Sequence, residues 1–330
     1  MNILAVRLAR LGDVILLLPA LAQLKANFPG SRLTFLTDER FAPVAQMCPA
    51  IDETISVDRI AMRDGSVLGA LSEMGRLARD IRRRRFDLVV DFHGFRETNL
   101  LSWFSGAPQR LGLKRYDQSF LPFCFNLPPV VEDKALHVSE MFRRVVERFG
   151  HEPPPAVNLA IPEDARSWVR DHLPTGRPIV VLYVDAPVPE RMWPAERFAA
   201  VADHAIERFG ASVVVLAGPD GISLTQRVRE SAQLQEHIQG FAGLTIAQVF
   251  AVIESSKLLI SNDTGPMHIG PAVGAPTLAL FSVGLPEHFC PTGASDRFLR
   301  GNPIDEVKVE EVLKAVEKMW ATAVDPDLRR

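Results

Sequence analysis

The sequence predicts an α/β protein of two doubly wound, parallel-sheet domains, and three observations carry that expectation. Short apolar runs alternate with segments of helical periodicity through both halves of the chain; continuous apolar strands of this kind belong to parallel sheets covered by helices on both faces. The length, 330 residues, fits two ordinary α/β domains. The alternation breaks once, at Glu152-Pro153-Pro154-Pro155, where consecutive prolines stiffen the chain into an extended linker. The N-terminal domain is accordingly placed over 1–155 and the C-terminal domain over 156–330.

Residues 2 to 7 read as a buried strand, followed by the turn Arg10-Leu11-Gly12-Asp13 and a helical run ending near Pro29-Gly30. The same alternation continues with strands at Arg32 to Leu36 and Ile55 to Val57, a helix from about Leu68 to Arg85, and the apolar strand Asp87 to Phe92. In the second half the expected elements are a strand at Pro178 to Val184, a helix at Ala195 to Phe209, a strand at Ser212 to Ala217 and a helix through Val228. Ile238-Gln239 is extended, then come a helix near Ile246 to Glu254, a strand at Lys257 to Ser261, a helix near Met267 to Val273 and a strand at Thr277 to Phe281. The last helix, about 307–320, repeats apolar residues at Val309, Val312, Leu313, Val316 and Trp320, one face of a 3.6-residue period.

Composition narrows the function classes. An apolar fraction of 47% with 23% charged residues describes a globular chain rather than a disordered or fibrous one. The net charge of -3, from 37 basic and 40 acidic side chains, gives no global attraction to nucleic acid. The charge is uneven: residues 1–150 hold 21 basic against 17 acidic side chains (+4), the remainder 16 against 23 (-7), which hints at an anionic partner for the first half. Three dispersed cysteines, Cys48, Cys124 and Cys290, suggest neither a disulfide framework nor a zinc site, and a reducing cytoplasm is the simplest compartment. The apolar stretch Val14 to Leu21 contains Pro19 and follows Asp13. It is far short of the roughly 20 residues that span a bilayer, so a role at a membrane would be a visit to its surface.

Two open α/β sheets place ligands outside the carboxyl ends of their strands, and two facing domains would form a cleft there. Three loops at such ends carry chemistry. In Arg10-Leu11-Gly12-Asp13, Gly12 permits a positive φ and Asp13 sits at the first helical turn, either as a general base or as an N-cap accepting backbone N–H groups. In Ser261-Asn262-Asp263-Thr264-Gly265-Pro266-Met267-His268, the N–H groups of Thr264 and Gly265 could cradle a phosphate; alternatively Asp263 caps the helix, Pro266 fills its first turn and His268 packs inside. Arg191, in Pro189 to Pro194, could neutralise a diphosphate, or lie on the surface beside a packed Trp193. Arg10, His93 and Arg96 follow first-domain strands and are candidate acceptor contacts. Arg82 to Arg85 reads as a solvated helix end, with contact to anionic membrane phosphates as the other reading. No set of side chains has metal-ligand spacing.

Taken in order, these segments resemble glycosyltransferase family 9, the heptosyltransferases that add heptose to the inner core of lipopolysaccharide. The resemblance runs through Arg10 to Asp13, Asp91-Phe92-His93-Gly94, Trp193-Pro194, Phe241-Ala242-Gly243-Leu244-Thr245, Asn262 to Ile269 and Gly274-Ala275-Pro276-Thr277. It implies a GT-B architecture of two Rossmann-like domains, with acceptor bound by the first, donor by the second, and the final helix packing back toward the first. It also implies inverting, metal-independent transfer from ADP-heptose to a lipid-linked core oligosaccharide at the cytoplasmic face of the inner membrane, with transient membrane contact and no cofactor. Asp13 would be the base and Arg191 the stabiliser of the departing diphosphate, with Asp263, Thr264, Gly265 and His268 around the donor. The sequence departs from the family at Arg191, where lysine is usual, at Pro271, and in Tyr183 to Val188, where Asp185 brings negative charge toward the phosphate site. These departures leave open another nucleotide-sugar or acceptor, or a non-catalytic nucleotide-sugar-binding relative; an epimerase of the same fold would act on free donor.

Overall fold

The structure, a computed structural model, describes residues 1–64 and 66–324. Their contacts divide into two compact units, Met1–Ala160 and a second beginning at Ile161. The first unit extends past the prolines because the chain on both sides of them stays attached to it: Gln23 Nε2 donates to the Glu152 carbonyl before them at 2.9 Å, and the Ala160 N–H after them donates to the Met47 carbonyl at 2.8 Å.

The first unit contains strands β1 (Asn2–Arg7), β2 (Arg32–Asp38), β3 (Glu53–Val57), β4 (Leu88–Asp91), β5 (Gln109–Lys114) and β6 (Val130–Val131). They form one parallel sheet in the order β3-β2-β1-β4-β5-β6. Helices α1 (Leu11–Asn27), α2 (Ala42–Gln46), α3 (Arg59–Asp64), α4 (Val67–Arg83), α5 (Arg96–Phe104) and α6 (Val138–Val146) connect them. The second unit adds β7 (Ile179–Tyr183), β8 (Ser212–Ala217), β9 (Ile238–Ala242), β10 (Leu258–Asn262), β11 (Thr277–Phe281) and β12 (Arg297–Arg300), ordered β12-β11-β10-β7-β8-β9. Its helices are α7 (Glu163–His172), α8 (Ala195–Phe209), α9 (Ile222–Ser231), α10 (Ile246–Glu254), α11 (Ile269–Val273), α12 (Pro286–Phe289) and α13 (Val309–Val324).

Both sheets therefore have the same doubly wound order, with the chain reversing its direction of travel between β1 and β4 and again between β7 and β10. Leu4, Ala5 and Val6 in β1, Leu88 to Val90 in β4, Val180 to Leu182 in β7 and Leu258 to Ile260 in β10 are all buried, as central strands covered on both faces require. The reversal leaves a crevice at the carboxyl ends of each central pair, where no crossover helix covers the sheet. In β1–β4 the register sets Val6 beside Asp91; in β7–β10 it sets Tyr183 beside Ser261.

Local chemistry sets the helix ends. Ser66 Oγ caps α4 through the Gly69 N–H, Thr245 and Gln248 form a capping box on α10, and Gly210 ends α8 in the left-handed region. The last helix, α13, sends Val312, Val316 and Met319 into the core of the second unit, and Trp320 stacks on Phe209 of α8 with centroids 4.4 Å apart. One local expectation is corrected: Gly12 is not a left-handed turn residue but lies inside the first turn of α1. The turn is made instead before the helix, where Arg10 is extended at φ -75° and ψ 165°.

Candidate functional site

In the first unit the crevice between β1 and β4 is organised by Arg7, the last residue of β1. Its side chain is 6% exposed and bridges both strands: Nη1 donates to the Phe92 carbonyl just beyond β4 at 2.7 Å, and Nη2 donates to Asp13 Oδ1 at 2.7 Å. The guanidinium also lies over the Phe142 ring, 5.0 Å from its centroid, a cation–π contact. Asp13 is 23% exposed. It does not cap α1: the N-cap position is Arg10, without a side-chain cap bond. The carboxylate is oriented instead by a charge-assisted hydrogen bond, short and directional, and among the described residues nothing donates to its second oxygen. Arg10 is exposed at the head of α1 and Arg96 is exposed as the first residue of α5.

The loop after β4 is held by Asp91, which is fully buried. It accepts from the His93 N–H at 2.9 Å, the Gly94 N–H at 3.0 Å and Asn99 Nδ2 at 2.9 Å. Burial raises its pKa against these hydrogen bonds. Gly94 is required there: it sits at φ +72°, and a Cβ would meet the Leu113 carbonyl oxygen at 2.4 Å.

His93 is 3% exposed, with its ring 4.1 Å from that of Phe95 and neither ring nitrogen hydrogen-bonded. Burial, reinforced by the charges of Arg7, Arg59 and Arg115, lowers its pKa to about 2. It therefore brings no charge to the crevice at neutral pH. A stability consequence follows from linkage. Below its ordinary value of 6.5 the unfolded chain takes up a proton that the folded chain refuses, so stability falls as pH drops. Against a His93→Phe variant, the wild-type protein is expected to lose about 2 kcal/mol more between pH 7 and pH 5. Urea unfolding at the two pH values checks this; parallel losses would show that His93 is not kept neutral.

In the second unit the crevice between β7 and β10 is built in the same way. The turn Pro189–Arg191 follows β7, and Arg191 Nη1 lies 3.3 Å from Asp263 Oδ2 and donates to the Asp263 carbonyl at 3.3 Å. Asp263, just after β10, is 5% exposed; burial raises its pKa, with the Arg191 charge opposing. Its Oδ2 accepts no hydrogen bond, so the contact with Arg191 is ionic. A side chain at Gly284 would displace that carboxylate, since a Cβ would lie 2.0 Å from the oxygen.

Asn262, wholly buried, fixes the spacing of the two loops: Nδ2 donates to the Val184 carbonyl at 2.9 Å and Oδ1 accepts from the Trp193 N–H at 3.2 Å. Trp193 is buried, its indole N–H donating to the Val307 carbonyl at 2.9 Å. Thr264 occupies the N-cap position of the 3-10 turn Gly265–His268, with Pro266 in its first turn as expected. Asp263 does not cap this turn; its carboxylate faces Arg191. Thr264 and Gly265 are partly exposed and His268 is buried. Among the described residues Asp185 pairs with neither Arg191 nor another cation: its Oδ2 accepts from the Gly218 N–H at 3.0 Å, which turns that oxygen toward the loop after β8.

The structure thus gathers Asp13 with Arg7 in one unit, and Arg191 with Asp263 in the other. Arg7, Asp91, Asn262 and Gly284 were not singled out from the sequence for these parts; a basic residue ending an otherwise apolar strand was the one visible sign of Arg7. Among the described residues no group of three or more His, Cys, Asp or Glu side chains assembles as a metal site, and no helix is long and apolar enough to cross a membrane.

The model of glycosyltransferase family 9 (heptosyltransferase) matches residues 74–318. Lipopolysaccharide heptosyltransferase 1 of Pseudomonas aeruginosa is 25% identical over 291 residues, 85% of this chain and 78% of that protein. Among solved structures, a family 9 glycosyl transferase from Veillonella parvula superposes with a TM-score of 0.85 at 28% identity, covering 97% of both chains. The Escherichia coli heptosyltransferase WaaC with ADP gives 0.80 at 19% identity, over 97% of this chain and 100% of that one. Two Rossmann-like units of identical strand order in the GT-B class, and a family match spanning most of the sequence, make this chain a member of glycosyltransferase family 9 and a glycosyltransferase.

Proposed function

We propose that the protein transfers heptose from ADP-heptose to a lipid-linked lipopolysaccharide core oligosaccharide, by inverting, metal-independent displacement at the cytoplasmic face of the inner membrane. The observation that carries this reading is the Asp13 carboxylate, partly exposed and aimed by a buried arginine at the first switch point. Asp13 accepts the proton of an acceptor hydroxyl as that oxygen attacks the anomeric carbon. The bond from that carbon to the diphosphate oxygen breaks on the opposite face, and ADP departs with the electron pair. Arg191 meets the charge that develops on the leaving diphosphate, with a fork of donors and a charge independent of working pH. The N–H groups of Thr264 and Gly265 hold phosphate oxygens, while Asp263 and His268 border the donor sugar. Arg10 and Arg96 face an anionic acceptor, and His93 supports the same loop as a neutral ring.

Calorimetric titration with ADP, with UDP and NAD as comparators and EDTA present throughout, tests the donor. Selective ADP binding that survives EDTA is the expected result. A preference for UDP would reassign the donor, and a protein that bound no nucleotide would be a non-catalytic relative.

A further inference from the structure

We propose that the face formed by α4 and α5 is the surface by which the protein docks onto an anionic phospholipid bilayer. This deepens the reading above, which takes a lipid-linked acceptor, by naming the part of the molecule that meets the membrane. A groove of about 450 Å³ runs between the two helices, walled by Met74, Gly75 and Ala78 on one side and Leu100, Leu101 and Phe104 on the other. Its rim is aromatic and open: Trp103 is 45% and Phe104 46% exposed, and Phe123, whose ring lies 6.3 Å from that of Trp103, is 61% exposed. Leu71, 64% exposed, continues the apolar face one turn earlier on α4 by helical spacing. A cluster of apolar and aromatic side chains this exposed is unusual unless something covers it.

The charge around it identifies the occupant. Arg79 and Arg82 line the groove itself; Arg83, exposed and next in sequence to Arg82, lines with Arg79 the neighbouring cavity along α4. Among the described residues none of the three has a carboxylate partner; Arg82 donates to the Phe104 carbonyl at 3.2 Å. Among the described residues lining the groove, Glu97 is the one acidic side chain. By contrast Arg84 is absorbed by Asp80 and Glu53. Unpaired arginines flanking exposed tryptophan and phenylalanine match a bilayer interface, where aromatic rings sit at headgroup depth and guanidinium groups meet lipid phosphates. A second copy of the chain would have to place the two-fold axis so that the arginines of the two copies stay apart, and it is an outcome of the test.

The test is sedimentation of the full-length protein with vesicles of phosphatidylcholine alone and of phosphatidylcholine with phosphatidylglycerol, at low and high salt. Wild-type protein is expected to pellet with the anionic vesicles and to be released by salt. Trp103→Asp and the pair Arg79→Glu with Arg83→Glu should each reduce binding at least tenfold. Both variants should keep the wild-type circular dichroism spectrum and wild-type turnover on a deacylated, water-soluble acceptor. Equal binding to neutral and anionic vesicles, variants that bind like wild type, or a wild-type dimer that Trp103→Asp dissolves would each overturn the proposal. Failure of turnover on the soluble acceptor in every variant and the wild type would instead strike at the assigned reaction, leaving the vesicle result to judge the surface.

Discussion

Replacing Asp13 by alanine is expected to lower kcat by about 100- to 10,000-fold, the range spanned by a positioned general base, while ADP affinity stays unchanged. The separation is expected because Arg191, Asp263, Thr264 and Gly265 belong to the second unit, whereas Asp13 is held within the first. Alanine also strips Arg7 of its carboxylate, and a guanidinium only 6% exposed tolerates that loss badly. Asp13→Asn separates the two effects. Its amide oxygen can still accept from Arg7 Nη2 but cannot take up a proton, so it should match alanine in rate and wild type in melting temperature. Arg7→Met should do the reverse in part: the carboxylate remains but is no longer oriented by the Arg7 hydrogen bond, so kcat should fall, though less than in Asp13→Asn. Full activity in Asp13→Asn would remove Asp13 from the chemistry and leave it as Arg7's structural partner.

How far the sequence anticipates this arrangement differs between residues for physical reasons. Central strands announce themselves because both faces are buried: β1, β8 and β11 match their expected limits, and α8 and α10 likewise. The stretch between β4 and α7 carries one helical signal, Val138, Met141, Phe142, Val145 and Val146 on one face of α6, and little strand signal. There β5 is interrupted by Gly112, which lies against the Phe125 ring, β6 has two residues, and the loop around His93 is fixed by Asp91 through backbone N–H groups that no side-chain pattern reveals. The site divides along the same line. Asp13 and Arg191 are legible as charged residues in loops after apolar strands. Arg7 is hidden inside a strand, and Gly284 matters only because Asp263 approaches it from a loop that is distant in sequence. Asp185 shows the limit most plainly: its charge can be read from the sequence, but its engagement by the Gly218 N–H depends on β7 and β8 lying side by side.

Arg191→Ala is expected to reduce kcat about 100- to 1,000-fold, the cost of removing one preorganised donor from a developing oxyanion, and to weaken ADP binding as well. Arg191→Lys should recover part of the rate, since it restores the charge but offers one ammonium in place of a planar fork. The structure adds a second effect that must be kept apart from the first. Arg191 is the cation beside Asp263, whose pKa burial already raises above its ordinary 3.8. In the alanine variant the opposing influence is gone. The folded protein then holds the Asp263 proton more tightly than the unfolded chain does, so stability is lost as pH rises from the ordinary carboxylate value through the raised one. The variant should therefore be more destabilised at neutral pH than in mild acid, a dependence that a lost diphosphate contact alone would not produce. Adding Asp263→Asn to Arg191→Ala removes the buried carboxylate and should return the neutral-pH melting temperature toward wild type without restoring transfer. Recovery of transfer in that double variant would mean that Arg191 serves only to neutralise Asp263, and the charge on the leaving diphosphate would then have to be met by the backbone N–H groups of Thr264 and Gly265.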